Sequence, residues 1–174
     1  PPHQCQVAEQ AEHHINGGGL TYDFLSKDTR FHLSAYGSLQ DIHRDTYYGT
    51  QYDLNAYGNS TDFSSVLGTQ ASYNFKRVIF MPSTLMAGVE WTTNHLVDEQ
   101  PAYNREVDQQ ANVASAFLQN EWKNKIFGFL LGLRVDKHSM MNNPVFSPRA
   151  NVRWAIVPSV TTRLSYSSGD RKSV

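Results

Sequence analysis

Cysteine, net charge and long apolar runs are all scarce in this chain. The single cysteine, Cys5, excludes an internal disulfide. A formal net charge of −1 provides no basic surface for nucleic acid, so no nucleic-acid partner is expected. Mean hydropathy is −0.50, and no apolar run approaches the roughly 20 residues of a membrane-spanning helix. The 174 residues show no break in composition and are therefore expected to form one domain.

The chain also lacks the short motifs of enzymes and of secretion. It contains no GxSxG, no HExxH and no cysteine with an evident base, so we expect neither catalysis nor a cofactor. Glu90 and Glu121 occupy mid-strand positions on polar faces, where carboxylates near arginines are the ordinary case. The N-terminal PPHQCQVAEQ has neither the basic start nor the apolar stretch of a signal peptide. We therefore expect a mature chain or an internal piece of a longer one.

The clearest pattern is a hairpin in residues 114–136, which read ASAFLQNEWKNKIFGFLLGLRVD. Apolar residues alternate with polar or small ones along two arms, and the polar Lys123-Asn124-Lys125 separates the arms. Because side chains alternate between the faces of a strand, each arm has one apolar and one largely polar face. The alternation lasts about ten residues in each arm, close to the roughly 9–11 that a tilted membrane-crossing strand needs.

The same alternation recurs along the chain and predicts about eight strands with no helix between them. It is poorest in residues 8–24, where Gly17, Gly18 and Gly19 indicate a bulge or a close backbone approach. Short polar turns, at 26–29, 123–125 and 157–159, alternate with longer connections. We expect long loops at 41–61 and 96–110, a medium-short connection at 76–83 and a medium one at 138–145. Outer-membrane barrels have short turns on one rim and longer loops on the other, so this order favours an antiparallel up-and-down transmembrane β-barrel.

Aromatic residues near the short turns fit the same hypothesis. Nine Tyr, nine Phe and three Trp are present, and amphipathic rings favour the membrane interface. Two alternatives remain open. A soluble ligand-binding β-barrel would enclose the apolar face, and a complete small barrel of about eight strands would have a structural or adhesive role. The predicted interfacial ring comprises Phe31, Phe75, Trp122, Phe127 and Trp154.

Four segments carry a resemblance to a known family. They are AFLQNEWK from Ala116, LGLRVD from Leu131, FSPRANVRW from Phe146 and LSYSSG from Leu164. In this order and spacing, over residues 112–169, they resemble TonB-dependent outer-membrane receptors. That family continues after the last segment with an aromatic residue and Arg-Ala-Pro, whereas this chain continues with Asp170-Arg171-Lys172-Ser173-Val174.

The resemblance implies a fold, a function and partners. Receptors of this family have a barrel of about twenty-two strands and an N-terminal plug with a TonB box. We expect residues 1–174 to be a central part of such a barrel, without the plug. The implied function is uptake of a scarce nutrient of the iron–siderophore, haem or cobalamin class across the outer membrane of a Gram-negative bacterium. The implied partners are outer-membrane lipid, the small-molecule ligand and, through the plug, the TonB complex.

The predicted loop at 41–61 contains the candidate ligand-binding residues. Its side chains combine stacking faces with hydrogen-bonding groups, which suits capture of an iron chelate, haem or corrinoid; alternatively, extracellular loops are simply rich in such residues. No metal site is expected, because Asp41, Asp45 and Asp53 lack calcium-loop spacing, and His13 and His14 point to opposite faces. The candidates are His43, Arg44, Tyr47, Tyr48, Tyr52 and Tyr57.

Overall fold

The chain forms a single antiparallel sheet of long strands. The structure, a computed structural model, describes residues 8–49, 54–157 and 159–168. Eight strands follow one another in sequence order across the sheet, so that β1 and β8 are its edges. The strands are β1 (Ala8–Leu25), β2 (Phe31–Gly49), β3 (Tyr57–Val78), β4 (Met81–Gln100), β5 (Arg105–Lys123), β6 (Phe127–His138), β7 (Val145–Val157) and β8 (Val160–Ser167).

This topology confirms the predicted fold class of antiparallel up-and-down barrel strands. Two short 3-10 turns, Leu54–Ala56 and Pro101–Tyr103, are the only helical segments in the described part of the chain. None of the described helices is long and apolar enough to cross a membrane. Each strand pairs with the strands before and after it in the chain. The alternation of residue types along each strand therefore gives the sheet two faces of different character.

The register of β5 to β8 aligns residues of one character on each face. On one face Leu118 pairs with Leu133, which pairs with Pro148. On the other, Gln119 pairs with Gly132, which pairs with Arg149. We call these the apolar face and the polar face. The polar face carries the even-numbered residues of β2, β3, β4 and β6 and the odd-numbered residues of β1, β5, β7 and β8.

Burial is reversed relative to a soluble protein. Among the described residues the buried hydrophobic side chains are Tyr47, Ala56 and Met81, whereas the buried polar ones include Ser34, Ser60, Asp98 and Ser115. Large side chains of the apolar face stay exposed, for example Leu131 at 56% and Leu164 at 72%. A soluble barrel would enclose those side chains. This burial pattern argues against the soluble alternative.

The predicted turn at residues 123–125 is confirmed with a small shift. β5 ends at Lys123 and β6 begins at Phe127. The Asn124 backbone N–H donates to the Phe127 carbonyl at 2.8 Å. Its side-chain Oδ1 accepts hydrogen bonds from the backbone N–H groups of Ile126 at 2.8 Å and Phe127 at 2.6 Å. The asparagine side chain thus satisfies the donors that the turn leaves free.

The predicted long loops are wrong. β2 continues to Gly49 and β3 begins at Tyr57, so most of residues 41–61 is strand. β4 likewise continues to Gln100 and β5 begins at Arg105, within the predicted loop at 96–110. Both faces of these segments are polar, so the alternation that reveals a strand is absent. The Tyr and Thr residues they contain are nonetheless good strand formers.

Contacts between Cα atoms divide the chain into two compact units, and each strand from β1 to β5 contributes to both. One unit contains the described residues of the chain up to Leu20, of Gly37–Val66 and of Thr92–Asn112. The other contains Thr21–Tyr36, Leu67–Trp91 and the described residues from Val113 onward. The first holds the strand segments that are polar on both faces, and the second holds the hairpin that dominates the sequence pattern.

Candidate functional site

The structure places the candidate ligand-binding residues on strands. Four of them lie in the second half of β2, and a fifth is the first residue of β3. Tyr52 lies outside the described residues. Because neighbouring strand residues point to opposite faces, the group divides between the two faces instead of converging on one point. The described members are His43, Arg44, Tyr47, Tyr48 and Tyr57.

The tyrosines meet at a small cleft where β2 ends and β3 begins. Tyr47 is buried, and its ring contacts that of Tyr57 edge-on, with centroids 4.9 Å apart and planes at 63°. A cavity of about 280 Å³ lies beside them. Its wall combines aromatic rings with amide and carboxylate side chains, which can stack and form hydrogen bonds. The lining includes Glu9, Tyr47, Tyr48, Asn55, Tyr57, Gln100 and Tyr103.

His43 belongs to a separate polar cluster on the other face of the sheet from Arg44. The Asn59 amide donates to His43 Nε2 at 3.2 Å and to Asp45 Oδ1 at 3.0 Å. His43 Nδ1 lies 3.4 Å from Thr61 Oγ1, which fits a ring protonated at Nδ1. The histidine therefore has partners within the sheet, and it does not line the tyrosine cleft.

Arg44 belongs to a charged cluster that the sequence did not predict. Asp98 on β4 is buried, with 2% of its side chain exposed, and it lies between two arginines. Arg105 Nη2 is 2.9 Å from Asp98 Oδ2, and Arg44 Nη2 is 3.6 Å from Asp98 Oδ1. Both new residues fall in the segment predicted as a loop at 96–110. No sequence pattern links residues on β2, β4 and β5, since only the register brings them together.

A second network crosses the polar face nearer the short turns. The Tyr36 hydroxyl donates to Glu90 Oε2 at 2.7 Å. Arg134 Nη2 donates to Glu90 Oε1 at 3.4 Å and to Ser115 Oγ at 2.9 Å, while its Nε donates to Asp136 Oδ1 at 2.8 Å. Ser115 Oγ also donates to Asp136. Polar side chains of β2, β4, β5 and β6 are thereby joined.

The described residues of the four segments of the sequence resemblance lie on or beside β5 to β8, and each segment pairs with the next. Gln119, Gly132, Arg149 and Ser167 form one row across these strands. Arg149 Nη2 donates to Gln119 Oε1. A Cβ at Gly132 would lie 2.9 Å from Arg149 Nε. In this conformation the arginine side chain passes over the glycine, where a side chain would require it to shift.

A family comparison agrees with this arrangement. The model of the family described as TonB dependent receptor-like, beta-barrel matches residues 8–171. The chain belongs to the TonB-dependent receptor β-barrel family. This is a family of outer-membrane receptors and transporters, not of enzymes. No individual curated protein matches the chain.

The apolar face of this receptor barrel carries the predicted aromatic ring in part. Phe127 stacks with Trp154 at a centroid distance of 6.0 Å, and Phe80 stacks with Trp122 at 6.4 Å. Phe129 joins the two pairs, 6.1 Å from Phe127 and 6.2 Å from Phe80. The other two predicted members pair elsewhere, Phe31 with Phe24 at 6.5 Å and Phe75 with Tyr73 at 4.6 Å.

Metal ligands do not converge in the described part of the receptor barrel. No three His, Cys, Asp or Glu side chains there could hold an ion together. His14 lies on β1, and its Nε2 is 3.3 Å from Glu12 Oε1 on the same strand. Cys5 and His3 lie outside the described residues. The cleft and the Arg44 cluster offer a ligand tyrosine, amide, carboxylate and guanidinium groups.

Proposed function

We propose that this chain forms part of the membrane-spanning barrel of a receptor that imports a scarce nutrient across the outer membrane of a Gram-negative bacterium. The observation that carries the proposal is the contrast between the two faces, together with family membership. Exposed Leu, Val, Phe and Trp side chains cover one face, and hydrogen-bonded polar side chains cover the other. Strands with an apolar lipid-facing side and a polar interior are the pattern of outer-membrane barrels.

Outer-membrane lipid is the proposed partner of the apolar face. Two open grooves of about 660 and 710 Å³ lie along it, and Leu, Val and Ala make up half of their lining residues. Acyl chains match such surfaces in size and polarity. The stacked aromatic cluster near the short turns suits the interface between acyl chains and headgroups. These features support a membrane location for the segment of each strand next to the short turns.

The tyrosine cleft is the proposed contact for the nutrient. It lies at the ends of the strands remote from the short turns, beyond the apolar segments of β2 and β3. In the outer membrane that rim faces the exterior. The nutrient class that we propose is iron–siderophore, haem or cobalamin. We further propose that other strands of the same receptor complete the barrel and that its plug transmits energy from the TonB complex.

Cell fractionation and uptake test this proposal together. The full reading frame that encodes this chain would be epitope-tagged at its own locus and its product followed through separation of inner and outer membranes. Uptake of labelled iron–siderophore, haem and cobalamin would be compared in wild-type, receptor-deletion and tonB-deletion cells. We expect recovery in the outer membrane and loss of one uptake activity in both deletions. Recovery in a soluble fraction, or uptake that persists without TonB, would overturn the proposal.

A further inference from the structure

We infer that Arg44, Asp98 and Arg105 form a subsite for an anionic group of the transported ligand, a carboxylate or a phosphate. The inference rests on the proposed function and deepens it by naming the charge of the ligand. The cluster lies on β2, β4 and β5, close along each strand to the tyrosine cleft. It combines two arginines with one buried aspartate.

The charge balance of the cluster leaves one positive charge in excess. Asp98 is almost fully buried, and a buried carboxylate requires a cation beside it. Arg105, 2.9 Å away, meets that requirement. Arg44 approaches the same carboxylate less closely, at 3.6 Å. Two guanidinium groups thus share one carboxylate, and the net charge of the trio is +1.

The side chains of the two arginines are partly exposed, although Arg44 Nε is buried, whereas the carboxylate is not exposed. The side chains of Arg44 and Arg105 are 38% and 57% exposed, against 2% for Asp98. The carboxylate oxygens accept no well-aligned hydrogen bond among the described residues. Each guanidinium carries five N–H donors in a planar fork that matches carboxylate and phosphate oxygens. A ligand approaching the cluster therefore meets arginine donors and not the acidic group.

The position of the cluster connects it to the cleft. Arg44 and Asp98 lie two residues before Thr46 and Gln100, which line the cleft. Residues two apart share a face of a strand and lie roughly 7 Å from each other. Gly58 lies between these two lining residues and has no side chain to fill the space. A Cβ there would lie 2.8 Å from Thr46 Oγ1 and 3.2 Å from the Gln100 side chain. One ligand of nutrient size can therefore reach the arginines and the cleft residues on the same face, Thr46, Tyr48 and Gln100.

The face on which the cluster lies excludes a lipid headgroup as the source of the anion. Arg44, Asp98 and Arg105 belong to the polar face, as does the buried Ser60 of the intervening strand β3. On that strand the opposite face carries the exposed Tyr57 and Phe63. Lipid covers the apolar side of a membrane barrel. The anion must come from a molecule on the interior side.

The test measures binding of citrate and pyrophosphate, as probes, to the detergent-purified full-length receptor by titration calorimetry at low and high salt. For Arg105→Gln we expect binding about tenfold weaker, because a charge-assisted hydrogen bond is lost. For Asp98→Asn we expect tighter binding, because the competing carboxylate becomes neutral. Arg105→Lys keeps the charge but not the fork and should fall between Arg105→Gln and wild type. Arg153→Gln, on the polar face beside the short turns, is the matched control and should match wild type.

Opposite effects of the two substitutions separate a binding role from a structural one. A cluster that only holds three strands together predicts lower thermal stability in both variants and the same probe affinity in each variant that folds. Such equal affinities, or the absence of probe binding by the wild-type receptor, would overturn the inference. Arg44→Gln replaces Arg105→Gln if the latter fails to fold. TonB-dependent uptake that is intact in all variants would contradict the subsite but not the proposed function.

Discussion

The phenol ring of Tyr36 on β2 lies directly over Gly68 on β3. A Cβ at Gly68 would sit 2.4 Å from Cζ and 2.5 Å from the hydroxyl of Tyr36, closer than any real contact. Because the glycine has no side chain, the Tyr36 side chain can cross β3, and its hydroxyl donates to Glu90 on β4 at 2.7 Å. Gly88 and the ring of Phe117 repeat this arrangement, with a contact of 2.6 Å. Rings that cover glycines thus tie strands together on the polar face.

We predict that Gly68→Ala destabilises the receptor. The added methyl group forces the Tyr36 ring aside, and overpacking of this kind costs about 1–3 kcal/mol. The measurement is urea unfolding of the full-length receptor in lipid vesicles, followed by tryptophan fluorescence. Gly18→Ala is the control, because a Cβ at Gly18 meets nothing within 4 Å. Equal stability of the two variants would contradict the role assigned to Gly68.

We predict that Glu90→Ala costs more stability than Glu121→Ala. Glu90 accepts hydrogen bonds from Tyr36 and Arg134. Loss of the Glu90 carboxylate leaves these two donors without that acceptor. An unsatisfied buried donor lowers the free energy of unfolding by about 1–3 kcal/mol. Glu121 also lies on the polar face, two residues before the end of β5, but the described residues give it no hydrogen bond or ion pair. The same unfolding measurement compares them, and Glu90→Gln should recover part of the loss. A Glu121→Ala effect as large as that of Glu90→Ala would refute this account.

The hairpin could be predicted from the sequence because the alternation of apolar and polar residues determines both its strands and their register. Apolar residues at alternate positions must share a face, so Leu118 had to meet Leu133 and not Gly132. The turn at Asn124 followed from the three polar residues between the arms. The strand ends at residues 41–49 and 93–100 could not be found in this way. Both of their faces are polar, and no alternation distinguishes such a strand from a loop.

The candidate site was only partly predictable for the same reason. Arg44 was identified from the composition of its segment, whereas Asp98 and Arg105 are brought to it by pairing across β3. Residues far apart in sequence meet only when the register is known. His43, predicted beside Arg44, points to the opposite face, because the predicted loop is a strand with alternating side chains.

We predict that Ile79→Gly stabilises the turn between β3 and β4. Ile79 has φ of 64°, a left-handed conformation that costs a branched residue about 1–3 kcal/mol. Glycine adopts it without steric cost. Ile126→Gly is the control, since Ile126 lies in the turn between β5 and β6 without a positive φ, and there glycine should destabilise by roughly 0.5–1 kcal/mol. We expect the free energy of unfolding to rise in Ile79→Gly and to fall in Ile126→Gly. A fall in both variants would show that Ile79 is not strained.

We predict a small acid-dependent loss of stability at the turn between β1 and β2. The Ser26 hydroxyl donates to Asp28 at 2.6 Å, and the Arg30 backbone N–H adds a bond of 3.2 Å. These bonds lower the pKa of the Asp28 carboxyl below its ordinary value. The stabilisation is therefore present above the ordinary pKa and is lost as pH falls through the lowered one. Ser26→Ala should raise the pKa and shift this loss to higher pH in an acid titration of unfolding, whereas in Asp28→Asn the step should vanish.

We predict that an arginine on the apolar face is costly only where lipid covers that face. Leu131 lies mid-way along the apolar stretch of β6 and is 56% exposed. Leu131→Arg should destabilise by about 2–4 kcal/mol, the cost of arginine near the bilayer midplane. Asn151→Arg is the matched control, because Asn151 lies on the polar face of the adjacent strand β7 and pairs with Leu130. Refolding into vesicles followed by urea titration gives both values. If Leu131→Arg costs no more than Asn151→Arg, water and not lipid contacts the apolar face, and the membrane orientation assigned to the sheet is wrong.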